Sequence, residues 1–419
     1  MVQPYMFGDI GIEGKLIQSP IEFGDSNPDT GHKFVAVEKF DYRGMVTYLL
    51  KFSNGKMNVL GTPQLKAIRE GIFYILSNPG DAESLILADD PFSPQAGGNL
   101  EETKSIFDKE NYMGLVKERL LLASEINHHI DRLSGIMATV TAEGSIGGYG
   151  GGFERALWGR LPMVTTEDYK GCLPEILIGI LAGYAGLVNA YRLSPENVEY
   201  LAFTGDQYTA KDFQRAGIVG KIIEPKKGES PVELQRDIIQ GTLDYLCNFH
   251  RQEGEFRIGH NGEIGLLRPD HDLFLEEISY RSDPNNFKTA ERESLAGRRE
   301  RFSVHKGTST EYMLKPPISP ESLRLQKIFL DYLGKTVTEN GMGLSTKYEL
   351  AKVESLLDSF PYKFPEFFLY VIESRLNKTS DPKPKRNELI VDFSGQPGIS
   401  EIKDIESMLN NTIRSDCHP

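Results

Sequence analysis

Two glycine clusters and two glutamates are the residues of this chain whose types and spacing could do chemistry. The first cluster is Ala96-Gly97-Gly98-Asn99-Leu100; the second runs Gly144-Ser145-Ile146-Gly147-Gly148-Tyr149-Gly150-Gly151-Gly152. A glycine backbone reaches unusual angles and lets a ligand approach closely. Beyond the second cluster, Phe153-Glu154-Arg155-Ala156-Leu157-Trp158 is compatible with a helix. Its start would offer free N–H groups and the positive end of the helix dipole. Glu154 and Glu175, the latter in Leu173-Pro174-Glu175-Ile176-Leu177-Ile178-Gly179, add two carboxylates. Such a pair with opposite protonation roles can activate a water and deliver a proton. Each feature also has a plainer reading: a tight connection for the glycines, a solvated first-turn residue for Glu154, a cap or ion-pair partner for Glu175. A dinucleotide site does not fit, because GxGxxG belongs after the first strand of a βαβ unit, and GxxxxGK[ST] is absent.

The elements that must position these residues follow from periodicity. Phe34–Glu38 and Thr47–Phe52 read as strands. Thr62-Pro63 has the form of an N-cap and first turn, followed by Leu65, Ile68, Ile72, Ile75 and Leu76 at helical spacing. Asn78-Pro79-Gly80-Asp81 ends that helix, and Ser84–Ala88 reads as a buried strand. A helix fits Tyr112–Leu133, and Ile136–Val140 is the next strand. Residues 1–33 show no sustained period and read as a loose lead-in. Strand and helix alternate, so the class is α/β. Ser230-Pro231-Val232-Glu233 is a capping box opening a helix to about Cys247. Residues 251–315 are charged and mixed. Ser319-Pro320 opens a helix through about Leu333, with further helices over Tyr348–Phe360 and Phe364–Leu376, and 377–387 is polar and proline-bearing. The division expected is an α/β core over 1–290 and a mostly helical C-terminal extension over 291–419.

The chain has 419 residues, 47 Lys+Arg against 60 Asp+Glu, and a net charge of −13, which argues against nucleic-acid binding. Three cysteines, Cys172, Cys247 and Cys417, lie too far apart for a disulfide framework or a metal cluster. The sequence Met1-Val2-Gln3-Pro4-Tyr5 opens without a basic leader or apolar run, and no stretch is apolar enough to span a membrane. The expectation is a reducing compartment, the cytoplasm. His128-His129 with Asp131 are not expected to hold a metal, since adjacent histidines point to different faces of a helix.

In order and separation, these segments resemble the crotonase superfamily of enoyl-CoA hydratases and isomerases. AGGNL looks like the family's first oxyanion-hole loop, GGGFE its second, and PEILIG its second carboxylate segment. Lys56-Met57-Asn58-Val59-Leu60 and Phe203-Thr204-Gly205-Asp206-Gln207-Tyr208-Thr209-Ala210-Lys211-Asp212 fit as well. The resemblance covers about residues 34 to 225 and implies a crotonase-like spiral of ββα turns. It further implies an acyl-CoA substrate whose thioester oxygen accepts from the N–H groups of Gly98 and Gly151. Glu154 would activate water, Glu175 would transfer a proton at the α-carbon, and Lys56, Ala96 and Gly97 would line the coenzyme A side. Coenzyme A would enter as part of the substrate, with no permanently bound cofactor and no metal. The assembly implied is a homo-oligomer, a trimer or a dimer of trimers.

Departures from the family bear on the substrate. The second glycine region is longer and offers two registers. Leu181-Ala182-Gly183-Tyr184-Ala185-Gly186 stands where a proline-glycine turn is usual, and the tail past 290 is long. Two other activities use the same scaffold: thioester hydrolysis, or ring-opening hydrolysis, and non-catalytic acyl-CoA binding. The run GGGFE-Arg-Ala-Leu is also similar to diffusible-signal-factor synthases, which cleave thioesters. Trp158 is core or acyl-pocket wall, Tyr149 touches an acyl group or covers the turn, and Arg298, Arg299 and Arg301 are a solvated face or a nucleotide border.

Overall fold

The computed structural model describes residues 12–26, 33–54, 58–89, 97–107, 109, 111–144, 147–177, 182–251 and 265–283, with scattered positions between 318 and 334. Lys56, Ala96, the Arg298–Arg301 run, the helices expected over 348–360 and 364–376, and the polar stretch 377–387 lie outside the described residues. Of the helix expected after Ser319-Pro320, Leu323, Arg324, Gln326, Lys327, Leu330 and Leu333 are helical.

The architecture is α/β. In chain order the elements are β1 (Lys15–Ser26), β2 (Lys33–Tyr42), β3 (Met45–Phe52), α1 (Thr62–Ser77), β4 (Ser84–Ala88), α2 (Leu100–Phe107), α3 (Tyr112–Ser134), β5 (Ala138–Glu143), β6 (Gly148–Tyr149) and α4 (Gly151–Ala156). They continue with β7 (Met163–Thr166), β8 (Lys170–Cys172), a 3-10 turn (Pro174–Leu177), α5 (Gly186–Leu193), α6 (Val198–Thr204), β9 (Tyr208–Thr209), α7 (Ala210–Arg215), β10 (Val219–Ile223), α8 (Pro231–Arg251) and α9 (His271–Ser282). The main sheet has the order β1-β2-β3-β4-β5-β7-β10, and a second, small sheet has the order β6-β8-β9. Pairing is antiparallel from β1 to β3 and parallel from β3 to β10.

The centre of the main sheet shows why these residues make strands. In β4 all five residues are buried, as a parallel strand covered on both faces must be. Period-2 alternation sends Leu85 and Leu87 to the core under α1 and α3, and Ile86 and Ala88 to the core under α8. A third core gathers around α4 to α7 and takes in Ile318, Leu323, Leu330 and Leu333. Burying each large apolar side chain contributes roughly 1.5–3 kcal/mol.

Three expectations are corrected. The lead-in contains a twelve-residue strand, β1, whose pairing is carried by backbone and whose side chains are mostly exposed, so no apolar alternation marks it. The strand expected over Ile136–Val140 is shifted: Ile136 is 56% exposed, and β5 runs on to Glu143 through buried Thr139, Thr141 and Glu143. At α1 the cap position is Gly61, whose N–H donates to Gln64 Oε1 at 3.0 Å, while Thr62 N–H donates to Glu102. The box opening α8 is present, with Ser230 N–H donating to Glu233 Oε2 at 2.8 Å and Glu233 N–H to Ser230 Oγ at 3.3 Å.

At the carboxyl ends of β4 and β5 sits a charge cluster with no apolar signature. Ala88 pairs with Ala142, so the next residues, Asp89 and Glu143, end side by side. Both are buried, and Arg155 of α4 reaches them, 2.6 Å from Glu143 and 3.8 Å from Asp89. Burial pushes the Glu143 carboxyl well above its usual range, an effect that Arg155 only partly offsets and Asp89 reinforces. Removing the cation would leave buried acid without a counter-charge, which typically destabilises by about 3–5 kcal/mol. Arg155→Ala is expected to lower stability by that amount in urea unfolding at pH 7. A loss under about 1 kcal/mol would show that the pair of acids does not need it.

Candidate active site

The two glycine clusters are brought together by backbone pairing. Leu60 bridges to Gly98, with Leu60 N–H donating to Gly97 O at 2.8 Å and Asn99 N–H to Leu60 O at 2.9 Å. Gly97 has φ +86, and a Cβ there would stand 2.6 Å from Tyr149 O, so the first loop can lie against the second only as glycine. The same Cβ would be 3.5 Å from Gly151 N, and one on Gly151 would be 3.6 Å from Gly98 N. The amides of Gly98 and Gly151 therefore converge, and among the described residues neither N–H carries a hydrogen bond.

The register of the second cluster is set by α4. The helix opens at Gly151, and Glu154 N–H donates to Gly150 O at 2.9 Å. Gly150, at φ +54, donates to Cys172 O at 3.0 Å, which ties this loop to the segment carrying Glu175.

Glu154 is buried on the first turn of α4 and receives three backbone donors. Oε1 accepts from Gly183 N–H at 3.2 Å; Oε2 accepts from Tyr184 N–H at 2.7 Å and Gly186 N–H at 2.9 Å. That is the partner set of an acceptor-only, ionised carboxylate. Gly186 must lack a side chain for this approach, since a Cβ would stand 2.5 Å from Glu154 Cγ. Ala185, between the donors, is held at φ +63, a conformation that is strained for alanine.

Glu175 sits in the 3-10 turn against the same loop, its Oε1 2.8 Å from where a Gly150 Cβ would be. The carboxyl is buried and its Oε2 has no hydrogen-bond partner among the described residues. Burial, then the charge of Glu154, push its pKa well above the usual carboxylate range. The two glutamates thus stand in opposed environments beside the converging amides, Glu154 ringed by backbone donors and Glu175 buried with its pKa raised.

Tyr184, part of the departing segment 181–186, joins the site, and with it Arg119, Asp89 and Glu143, which the sequence did not single out. Tyr184 packs its ring 2.7 Å from the Gly151 Cβ position, and its carbonyl accepts from Trp158 Nε1 at 3.0 Å, which makes Trp158 a core residue behind the loop. Arg119 of α3 donates from Nε to the Tyr184 hydroxyl at 2.6 Å. The Asp89–Glu143 pair lies under α4, and its only sequence signal was an acid just past each of two neighbouring buried strands. His129 is buried and its pKa is lowered first by that burial, and no group of three metal-ligating side chains occurs among the described residues. No described helix is long and apolar enough to cross a membrane.

No family model matches the chain. The curated mitochondrial enoyl-CoA hydratase of Pongo abelii is 25% identical over 189 residues, 42% of this chain and 61% of that protein. The chain thus spans under two thirds of that relative's length. Among solved structures, an enoyl-CoA hydratase from Rhodobacter sphaeroides superposes with a TM-score of 0.55 at 15% identity, over 91% of this chain and 99% of that one. That likeness is one of fold. Pseudomonas aeruginosa DspI aligns at 17% identity and a TM-score of 0.42, over 66% of this chain and 91% of that one.

The raised pKa of Glu175 predicts a pH-dependent stability. An unfolded glutamate titrates near about 4.3. Between that pH and the raised native value, the native state keeps a proton that the unfolded state has released. Its contribution is therefore complete below the unfolded pKa and is lost as pH rises, by about 1.4 kcal/mol per pH unit across the window. Glu175→Gln removes this loss, so its stability relative to the parent should grow from pH 5 to pH 8 in urea unfolding. A difference independent of pH would mean that Glu175 is ionised in the native state.

Proposed function

We propose that the chain is an acyl-CoA-processing enzyme of the crotonase superfamily and that it adds water to an α,β-unsaturated acyl-CoA. The observation that carries this reading is the pair of glutamates in opposed environments beside two converging amides that carry no hydrogen bond among the described residues. The Gly98 and Gly151 N–H groups would donate to the thioester oxygen and stabilise the charge it gains as an enolate forms. Losing one such donor commonly slows a reaction roughly 10²–10³-fold.

In this mechanism the Glu154 carboxylate takes a proton from water, and the hydroxyl adds to the β-carbon. Electrons shift onto the thioester oxygen between the two amides. Protonated Glu175 then delivers its proton to the α-carbon as the carbonyl re-forms. The addition leaves Glu154 protonated and Glu175 ionised, and proton exchange with solvent restores the pair. The three amide bonds to Glu154 fix the direction from which water is attacked. Burial of Glu175, then the charge of Glu154, favours its protonated form. Gly97 would border the coenzyme A side of the thioester, together with Lys56 and Ala96. By the same reading no permanent cofactor takes part, and the chain assembles as trimers or pairs of trimers; a monomer in light scattering would refute that assembly.

The test is a panel of enoyl-CoA thioesters followed at two wavelengths, one for the conjugated thioester and one for free thiol. Loss of conjugation without thiol is expected. Glu154→Gln and Glu175→Gln should each lower that rate by about 10²–10⁴-fold, the range for acid–base groups, with binding retained. Release of thiol would replace hydration by thioester hydrolysis. Binding without either signal would leave an acyl-CoA-binding protein.

A further inference from the structure

Arg119 takes no part in the steps above, yet it reaches the centre of the site. Its guanidinium is buried, and its donors are spread over three elements. Nε donates to the Tyr184 hydroxyl at 2.6 Å, Nη1 to Thr103 Oγ1 at 2.9 Å and Nη2 to Leu60 O at 2.5 Å. The nearest carboxylate among the described residues, Glu102, is 3.9 Å away, and both its oxygens are engaged by Thr62 N–H. A guanidinium has five N–H donors, so two remain after these three bonds. Arg119 is therefore a buried cation that is paired only distantly, with Glu102 at 3.9 Å, and that keeps two N–H donors without a partner among the described residues.

Its position gives those donors a use. A Cβ on Gly98 would stand 2.8 Å from Arg119 Nη2 and 3.9 Å from the Tyr184 hydroxyl. One carbon's width from the amide that would hold the thioester oxygen, the wall is a guanidinium and a phenol oxygen. A long hydrocarbon chain laid there would desolvate the charge and return no hydrogen bond. A carboxylate would bring a counter-charge closer than Glu102 and take up the two spare donors.

Resting on the acyl-CoA reading, we propose that this corner selects short acyl groups that end in a carboxylate, with Arg119 as the specificity residue and Tyr184 orienting its fork. Calorimetric titration with saturated thioesters tests this without turnover, using butyryl-CoA, glutaryl-CoA and dodecanoyl-CoA. The parent protein should bind glutaryl-CoA about ten- to a hundred-fold more tightly than butyryl-CoA, the size of one charge-assisted hydrogen bond or pair. Dodecanoyl-CoA should bind no more tightly than butyryl-CoA. Arg119→Met should bring the ratio of glutaryl-CoA to butyryl-CoA affinity close to one, whatever it does to the affinity for both. Arg119→Lys, which keeps the charge and loses the fork, should retain part of the preference. The parent's own selectivity decides the matter if the methionine variant does not fold. Glutaryl-CoA binding no more tightly than butyryl-CoA, dodecanoyl-CoA binding most tightly, or Arg119→Met weakening all three equally would each overturn the proposal while leaving the acyl-CoA reading in place. Failure of all three thioesters to bind the parent would overturn that reading, and this proposal with it.

Discussion

The bond set around Glu154 is the interaction on which the site's geometry depends. One carboxylate on the first turn of α4 gathers the N–H groups of Gly183, Tyr184 and Gly186. Those amides precede or open α5, so the carboxylate acts at its start much as a side-chain cap does. The consequence reaches further than one helix. It holds Tyr184 where its ring covers Gly151 and its hydroxyl meets Arg119, and Arg119 in turn grips Leu60 beside Gly98. Four loops are thus connected through one acid, and the strain of Ala185 at φ +63 is tolerated inside that clamp.

Close approach is the second constraint. Gly97, Gly150, Gly151 and Gly186 each stand where a Cβ would meet backbone, carboxylate or ring at 2.5–2.8 Å. Packing this dense transmits small displacements instead of absorbing them. Beneath it, Asp89, Glu143 and Arg155 occupy the carboxyl ends of the central strands, the side of an open α/β sheet where sites are generally built.

The glycine clusters and both glutamates were legible because their residue types are unusual where they stand and their order follows a known family pattern. The interior of the main sheet was legible where burial writes period-2 or period-3.6 apolar patterns, as in Ser84–Ala88 and Leu65–Ile75. β1 was not, since a strand with one exposed face and irregular pairing has no such pattern. The last residues of β5 were missed for the opposite reason: threonines and a glutamate are buried there, and polar letters read as surface. Arg119 and Tyr184 are separated by 65 residues and meet only through the fold, so no local spacing could announce them. The choice of Thr62 as a cap failed because Glu102, from another helix, supplies the acceptor that a local cap would have supplied.

The form of β1 has a consequence for how molecules of this chain meet one another. It is the outer strand of the main sheet among the described residues, and a straight outer strand is a template for an unwanted neighbour. Here the ladder to β2 breaks register between Leu16 and Gln18, between Gln18 and Ile21, and between Phe23 and Ser26. Pro20 removes a donor within it, and Lys15, Glu22 and Asp25 place charge along it. Leu16 and Ile17 are exposed, yet the row of unpaired N–H and C=O groups beside them is interrupted and twisted. The same irregularity that hid this strand from its sequence pattern makes it a poor seed for aggregation.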